Sequence, residues 1–183
     1  MRLFHVSETP NIQKFVPRIP YRDDQDKTKG LVWALNARCF PNFLTPRDCP
    51  RVTYHTNEGT TPDDIAKYFS STARHCVAIE YGWHKKMLET SLYVYEFDTA
   101  NFYLQDAVGG YYVSEHTEIP IAVQRYDNLY EALFERNIEV RMLENLWPLG
   151  RQVQLSSLNW SLCRMGNAIS EVNKMAYPID MRK

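Results

Sequence analysis

The chain has 183 residues, 44% of them hydrophobic and 23% charged, with 21 basic and 22 acidic side chains for a formal net charge of −1. That length suits one hydrophobic core and that composition excludes a disordered chain. The balance of charge excludes a sequence-independent nucleic-acid binder, which needs a surplus of Lys and Arg to displace counterions, while leaving room for a local basic pocket.

The first segment, Leu3 to Val6, reads as a strand, and Arg18 to Lys29 (RIPYRDDQDKTK) as an exposed, proline-bearing loop. Strands follow at Leu31 to Leu35 and Val52 to His55. TTPDDIAKYFSS predicts a helix with Thr61 as N-cap, Pro62 at the first helical position and two carboxylates facing the positive end of the dipole. Cys76 to Glu80, Leu92 to Phe97, Phe102 to Leu104, Tyr111 to Ser114 and Ile119 to Val123 continue the strand series, with a turn at Gly109-Gly110. A helix from Asp127 or Asn128 sets Leu129, Leu133 and Phe134 on one face, then Val140 to Leu143 returns to strand. Ser157 to Met165 (SLNWSLCRM) reads as a last helix on the stripe Leu158, Leu162 and Met165. With no repeat and no linker, one domain is expected over residues 1–183, its end from about 169 a loosely ordered tail.

Several chemistries are absent as motifs. There is no GxxxxGK[ST] phosphate loop, no strand-linked GxGxxG, no HExxH and no GxSxG. Cys39, Cys49, Cys76 and Cys163 are scattered without a CxxC pair, so they read as buried or half-buried thiols and no metal site is expected. No apolar run reaches bilayer length and MRLFHVSETP lacks a signal-type apolar core, so a cytoplasmic location without a membrane partner is expected. TPRDCPR frames Arg47, Asp48 and Arg51 between prolines, either as a surface ion-pair cluster or as a phosphate- or target-binding loop.

Three stretches share an order: RLFHVSE with His5 two residues before Ser7, TKGLVWALNARCFPNF with Gly30 ahead of a short apolar strand, and GGYYVSEHTEIP with its paired tyrosines. This order resembles the NAD-binding core of the ADP-ribosyltransferase fold, in its poly-ADP-ribose-polymerase-like branch. His5-Val6-Ser7 matches that branch's His-Gly-Ser/Thr, Gly30 to Ala34 its second-strand motif, Phe43 its stacking tyrosine and Tyr111-Tyr112-Val113 its last strand. PNFLTPRDCPRVTY and LNWSLCRM also look like a family of small uncharacterised bacterial proteins.

The resemblance implies an α+β domain with a split, mostly antiparallel sheet and flanking helices. It implies NAD as substrate, with no metal, and a mono-ADP-ribosyltransferase-like enzyme modifying a protein or nucleic acid. It places His5, Ser7, Arg18, Trp33, Phe43, Arg51, Tyr111, Tyr112 and Ser114 around the dinucleotide. A histidine and a serine suit ribose hydroxyls, an aromatic ring suits nicotinamide, and guanidinium forks suit a pyrophosphate. Two departures stand out: Val6 replaces a glycine, and Gly110 stands where active relatives carry a glutamate for the ribose 2′-hydroxyl. The acidic role then falls to Asp106, Glu115 or Glu118. Glu115 is the natural substitute if the Tyr111 face lines the pocket, and Asp106 if the Tyr112 face does. Two further readings remain open, an RNA 2′-phosphotransferase-like activity, which calls for arginines converging on phosphate, and a non-catalytic nucleotide- or partner-binding module.

Overall fold

The computed structural model describes residues 1–20 and 26–170. In chain order these form β1 (Leu3–Ser7), β2 (Val32–Asn36), β3 (Arg51–His55), α1 (Pro62–Tyr68), β4 (His75–Glu80), α2 (His84–Glu89) and β5 (Leu92–Phe97). Then come β6 (Tyr103–Asp106), β7 (Tyr111–Ser114), β8 (Ala122–Tyr126), α3 (Leu129–Phe134), β9 (Glu139–Leu143), α4 (Trp147–Val153) and β10 (Asn159–Cys163). The helices are short, and α1 and α3 are capped as their sequences dictate. The Thr61 hydroxyl accepts from the Asp64 amide at 3.2 Å, and the Asn128 side chain accepts from the Glu131 amide at 3.1 Å.

The fold is α+β. One sheet has six antiparallel strands in the order β6-β7-β2-β1-β5-β8, and the other has four in the order β10-β3-β4-β9. In the smaller sheet only β4 and β9 run parallel. The sheets pack face to face. Phe4, Leu35, Leu92 and Val94 from the larger meet Val77 and Ile79 from the smaller, and Met87, Leu129 and Leu133 from α2 and α3 close the side of this core. The outer face of the smaller sheet buries Val52, Tyr54, Cys76 and Ala78 against α1 and α4. The outer face of the larger sheet buries Leu3, Ala34, Tyr95 and Phe97 beneath Ile12 and Phe15.

The last expected helix is a strand. Asn159, Ser161 and Cys163 alternate with Trp160 and Leu162, a period of two, and this strand pairs with β3 from Asn159↔His55 to Cys163↔Arg51. Tertiary pairing overrode the Leu158/Leu162 spacing that favoured a helix. Arg164 therefore does not sit a helical turn beyond Trp160 but in a left-handed turn, φ 55°. Phe134 also departs from expectation. It lies 59% exposed, while Leu129 and Leu133 carry the buried face of α3. Glu80 is buried at the end of β4 and accepts from the amides of Leu146 and Ile169. Most of the expected tail, residues 171–183, lies outside the described residues.

Candidate functional site

Side-chain alternation divides the layer between the sheets. On β4, Val77 and Ile79 face inward, and their parallel partners on β9 are Val140 and Met142. On β3 and β10 the outward positions are apolar (Val52, Tyr54, Trp160, Leu162), so the inward ones are Arg51, Thr53, His55, Asn159, Ser161 and Cys163. Three of these, Arg51, Thr53 and His55, are almost wholly buried. Half of the interlayer is thus oil and half is polar, and the polar half holds the candidate site.

Across from it the larger sheet forks. β1 pairs with β5 over five residues but with β2 only through Leu3↔Asn36 and Phe4↔Leu35. Just past the last pair stands His5, whose Nδ1 lies 2.9 Å from the Trp33 carbonyl oxygen. A carbonyl only accepts, so Nδ1 carries the proton and Nε2 presents a bare lone pair, with no protein partner among the described residues. The ring rests against Phe15, centroids 4.8 Å apart. Burial holds its pKa below the ordinary imidazole value against the raising effect of the Trp33 bond, and the charges of Arg47 and Arg18 lower it further. His5 is a neutral acceptor at neutral pH. Neither guanidinium has a side-chain partner among the described residues, and no ion pair joins Arg47, Asp48 and Arg51.

On the inner face of the same sheet the Trp33 ring begins a series of aromatic contacts that runs into the polar half. Trp33 meets Tyr111 edge-on at 5.6 Å, Tyr111 meets Phe43 at 6.2 Å, and the Arg51 guanidinium caps Phe43 at 4.6 Å. Burial pushes the Tyr111 hydroxyl up to about 12. Arg51 is 3% exposed; its Nη1 donates to the Cys49 carbonyl at 3.0 Å, while its Nε has no partner. No carboxylate pairs with this guanidinium among the described residues, and a buried charge without such a partner costs stability. Thr45, in the same stretch of chain, leaves its buried hydroxyl unpartnered too.

Trp33, Phe43, Arg51 and Tyr111 are therefore brought together on the inner face. His5, alternating with Phe4 and Val6 and set against Phe15, lies on the outer face of the same sheet and reaches Trp33 only at the backbone carbonyl, with Arg18 acting on it from the segment that bridges Leu31. Other candidates fall elsewhere. Ser7 lies beyond the fork and accepts from the Thr9 amide at 3.0 Å. Tyr112 and Ser114 point to the opposite face of β7 from Tyr111, and Ser114 donates to the buried Glu118 at 2.5 Å. Asp106 caps its own turn, accepting from the amides of Val108 (2.9 Å) and Gly109 (3.0 Å). Glu115 shares the Tyr111 face and holds Lys29 at 2.9 Å and the Tyr103 hydroxyl at 3.2 Å. Lys29 and Tyr103 line, together with Trp33, a cavity of about 170 Å³. The Lys29 bond keeps the Glu115 carboxyl below its usual range. Gly110 has φ +66°, and a Cβ there would meet Cys39 at 2.7 Å and the Asn36 amide at 2.8 Å, so no carboxylate side chain fits at that position.

Sequence reasoning missed the deeper polar row. His55 and His75 oppose each other across β3 and β4 with centroids 5.2 Å apart. The His75 Nε2–H donates to Asn42 at 2.5 Å, and Asn159 reaches the His55 ring at 3.4 Å. Burial depresses His55 to about 4 and His75 to about 3, with the Arg38 charge adding to both. The signal was present as Arg-x-Thr-x-His on a strand whose alternate residues are apolar.

Among the described residues no three His, Cys, Asp or Glu side chains gather as a metal-binding group, and no helix is long and apolar enough to cross a membrane. No curated protein and no solved structure matches the chain. A family described only as of unknown function, DUF6886, matches residues 4–168, and the chain belongs to that family.

Proposed function

We propose that the chain is a mono-ADP-ribosyltransferase-like enzyme on a split-sheet, ADP-ribosyltransferase-like fold, with NAD as donor and a macromolecule as acceptor. The observation that carries the reading is the His5 ring. It is neutral, fixed through Nδ1, and bare at Nε2, under the charges of two guanidinium groups that lack side-chain partners among the described residues. Such a nitrogen accepts from a ribose hydroxyl, and the arginines hold an anion beside it. Arg51, buried and short of one partner, supplies a further fork for the pyrophosphate. The Trp33–Tyr111–Phe43 series supplies ring surface for nicotinamide.

In the reaction the bond from ribose C1 to the nicotinamide nitrogen breaks, and nicotinamide leaves with the electron pair. The acceptor's oxygen or nitrogen bonds to C1 and gives up its proton. Positive charge develops on the ribose, and Glu115, on the Tyr111 face, is the carboxylate we assign to stabilise it. NAD and ADP-ribose should raise Tm, because a ligand that binds the native state stabilises it by mass action. His5→Ala should shrink that rise without unfolding the free protein. Nicotinamide release should be lost in His5→Ala and in Glu115→Gln and kept in Asp106→Asn. No Tm shift at millimolar NAD or ADP-ribose sinks the reading; a shift without nicotinamide release across a panel of proteins and nucleic acids leaves a binding module.

One observation favours a second reading, RNA 2′-phosphotransferase-like activity. Arg18 and Arg47 both act on the charge state of His5, and among the described residues no carboxylate bonds to that ring. A 2′-phosphate acceptor is already an anionic nucleophile. It needs cations to hold it and no base to activate it. Consumption of NAD that depends on a 2′-phosphorylated oligoribonucleotide, and falls in Arg18→Ala and Arg47→Ala, would select this reading over the first.

A further inference from the structure

A larger cavity, about 530 Å³, is lined by Asp48, Trp83, Arg164, Gly166 and Asn167. None of these residues belongs to the His5 cluster, so the inference goes beyond the function proposed above. We propose that this cavity binds a nucleoside phosphate unit, with the base on Trp83, the ribose hydroxyls at Asp48 and the phosphate at Arg164.

Four features point to that chemistry. The Trp83 indole lines the cavity and carries the Lys86 ammonium 4.4 Å from its ring centroid, so π-surface and positive charge occur together. Arg164 has no side-chain partner among the described residues, and it holds a left-handed backbone at φ 55°, which side chains other than glycine and asparagine disfavour. An unpaired, planar guanidinium is the side chain best matched to a phosphate. The Asn167 Nδ2 is committed to the Asp48 carbonyl at 2.7 Å, which leaves its side-chain oxygen as an acceptor, and the Asp48 carboxylate is an acceptor for a vicinal diol. Gly166 borders open space, with nothing within 4 Å of a built Cβ. Cavities of a few hundred to about 1,000 Å³ are the usual size for small-molecule sites.

The same unit occurs in a free mononucleotide, in either half of NAD and at a nucleic-acid terminus, and the test separates these sources. Calorimetric titration with AMP, adenosine and inorganic phosphate should show AMP binding at least tenfold tighter than either fragment. Arg164→Ala should bring AMP down to the level of adenosine, and Trp83→Ala should abolish both. Gly166→Gln, whose Cβ meets nothing within 4 Å, should block AMP while leaving Tm unchanged. Competition against AMP by NAD and by a short oligoribonucleotide identifies which larger molecule carries the unit. The proposal is overturned if adenosine binds as tightly as AMP, or if AMP binding survives both Arg164→Ala and Gly166→Gln. It is equally overturned if AMP binding is lost in Arg51→Met but not in Arg164→Ala, which would assign the nucleotide to the His5 cluster. Retention of AMP binding in His5→Ala, with no NAD effect traceable to His5, would sink the earlier reading and leave this one standing.

Discussion

The two halves of the layer between the sheets are made from neighbouring strands of equal depth, yet they are filled in opposite ways. Under β1 and β5 the inward side chains of β4 and β9 are Val77, Ile79, Val140 and Met142. Under β2 and β7 the inward side chains of β3 and β10 are Arg51, Thr53, His55, Asn159, Ser161 and Cys163. Stability needs only the first arrangement. The second buries a guanidinium with an unpartnered Nε and two histidines forced neutral, which costs free energy relative to apolar residues of the same shape. On the function proposed above, that cost is borne by groups held for a ligand.

The sharpest way to break this contrast is to exchange the roles of Ile79 and Arg51, which pair across β4 and β3. Ile79→Ala should lower unfolding free energy by about 2–5 kcal/mol, the usual result of truncating a fully buried aliphatic side chain. Arg51→Met should leave Tm unchanged or raise it, because it removes an uncompensated charge and keeps the volume. The same variant should lose the Tm rise produced by NAD. If denaturant melts show Arg51→Met to be as damaging as Ile79→Ala, both halves serve stability alone.

Acid should separate the halves next. His55 and His75 titrate near 4 and 3 when folded and near 6.5 when unfolded, so the unfolded chain binds more protons between those values. Their neutral forms support the fold fully above pH 6.5, and that support is lost as pH falls toward about 3. The slope is up to about 1.4 kcal/mol per pH unit for each ring. A His55→Asn/His75→Gln double variant should show a flatter acid limb in a pH series of melts. An unchanged limb would show that the polar row is hydrated and not dry.

A smaller effect is expected at the rim of the polar half. Gly110→Ala forces a Cβ to 2.7 Å from Cys39 at a positive φ, and should cost about 1–3 kcal/mol. A neutral Gly110→Ala would mean that the β6–β7 turn yields, and with it the argument that no side chain fits there. The smallest effect on stability is expected at Glu115, whose partner Lys29 is half in solvent. Glu115→Gln should leave Tm within error while it abolishes nicotinamide release, and loss of both together would make it a structural residue.

Much of this was legible in the residues. Nine strand positions, two capped helices and the adjacency of the His5, Trp33 and Tyr111 strands follow from β-rich runs, a Thr-Pro-Asp-Asp start and shared motif order. The polar half was legible only in part. Arg51 was singled out as a phosphate ligand, but NWSLC was read at helical period because Leu158, Leu162 and Met165 satisfy that template too. Only the pairing with β3 decides between the templates, and pairing is not local. Which of Asp106 and Glu115 shares a face with Tyr111 was legible from alternation alone. That Asp106 is occupied by its own turn was not, because an Asx turn depends on the path of the following backbone.

The order in which the sheets can close follows from the register. β3 and β4 are a near-local pair, but the strands that flank them come from the last third of the chain; Thr53 and Ser161, which meet across β3 and β10, are 108 residues apart. Loop closure over such spans makes these late and slow contacts. A chain emerging from the ribosome can complete the β1–β5 and β2–β7 pairings while β3 still lacks its outer neighbour. During that interval Arg51 and His55 lie at an open, hydrated sheet edge, and the burial that lowers the His55 pKa is not yet in place. The burial that drives His55 neutral is thus acquired at the end of folding, when β10 docks, and a chain arrested before that step would hold most of its strands paired and its polar row still in water.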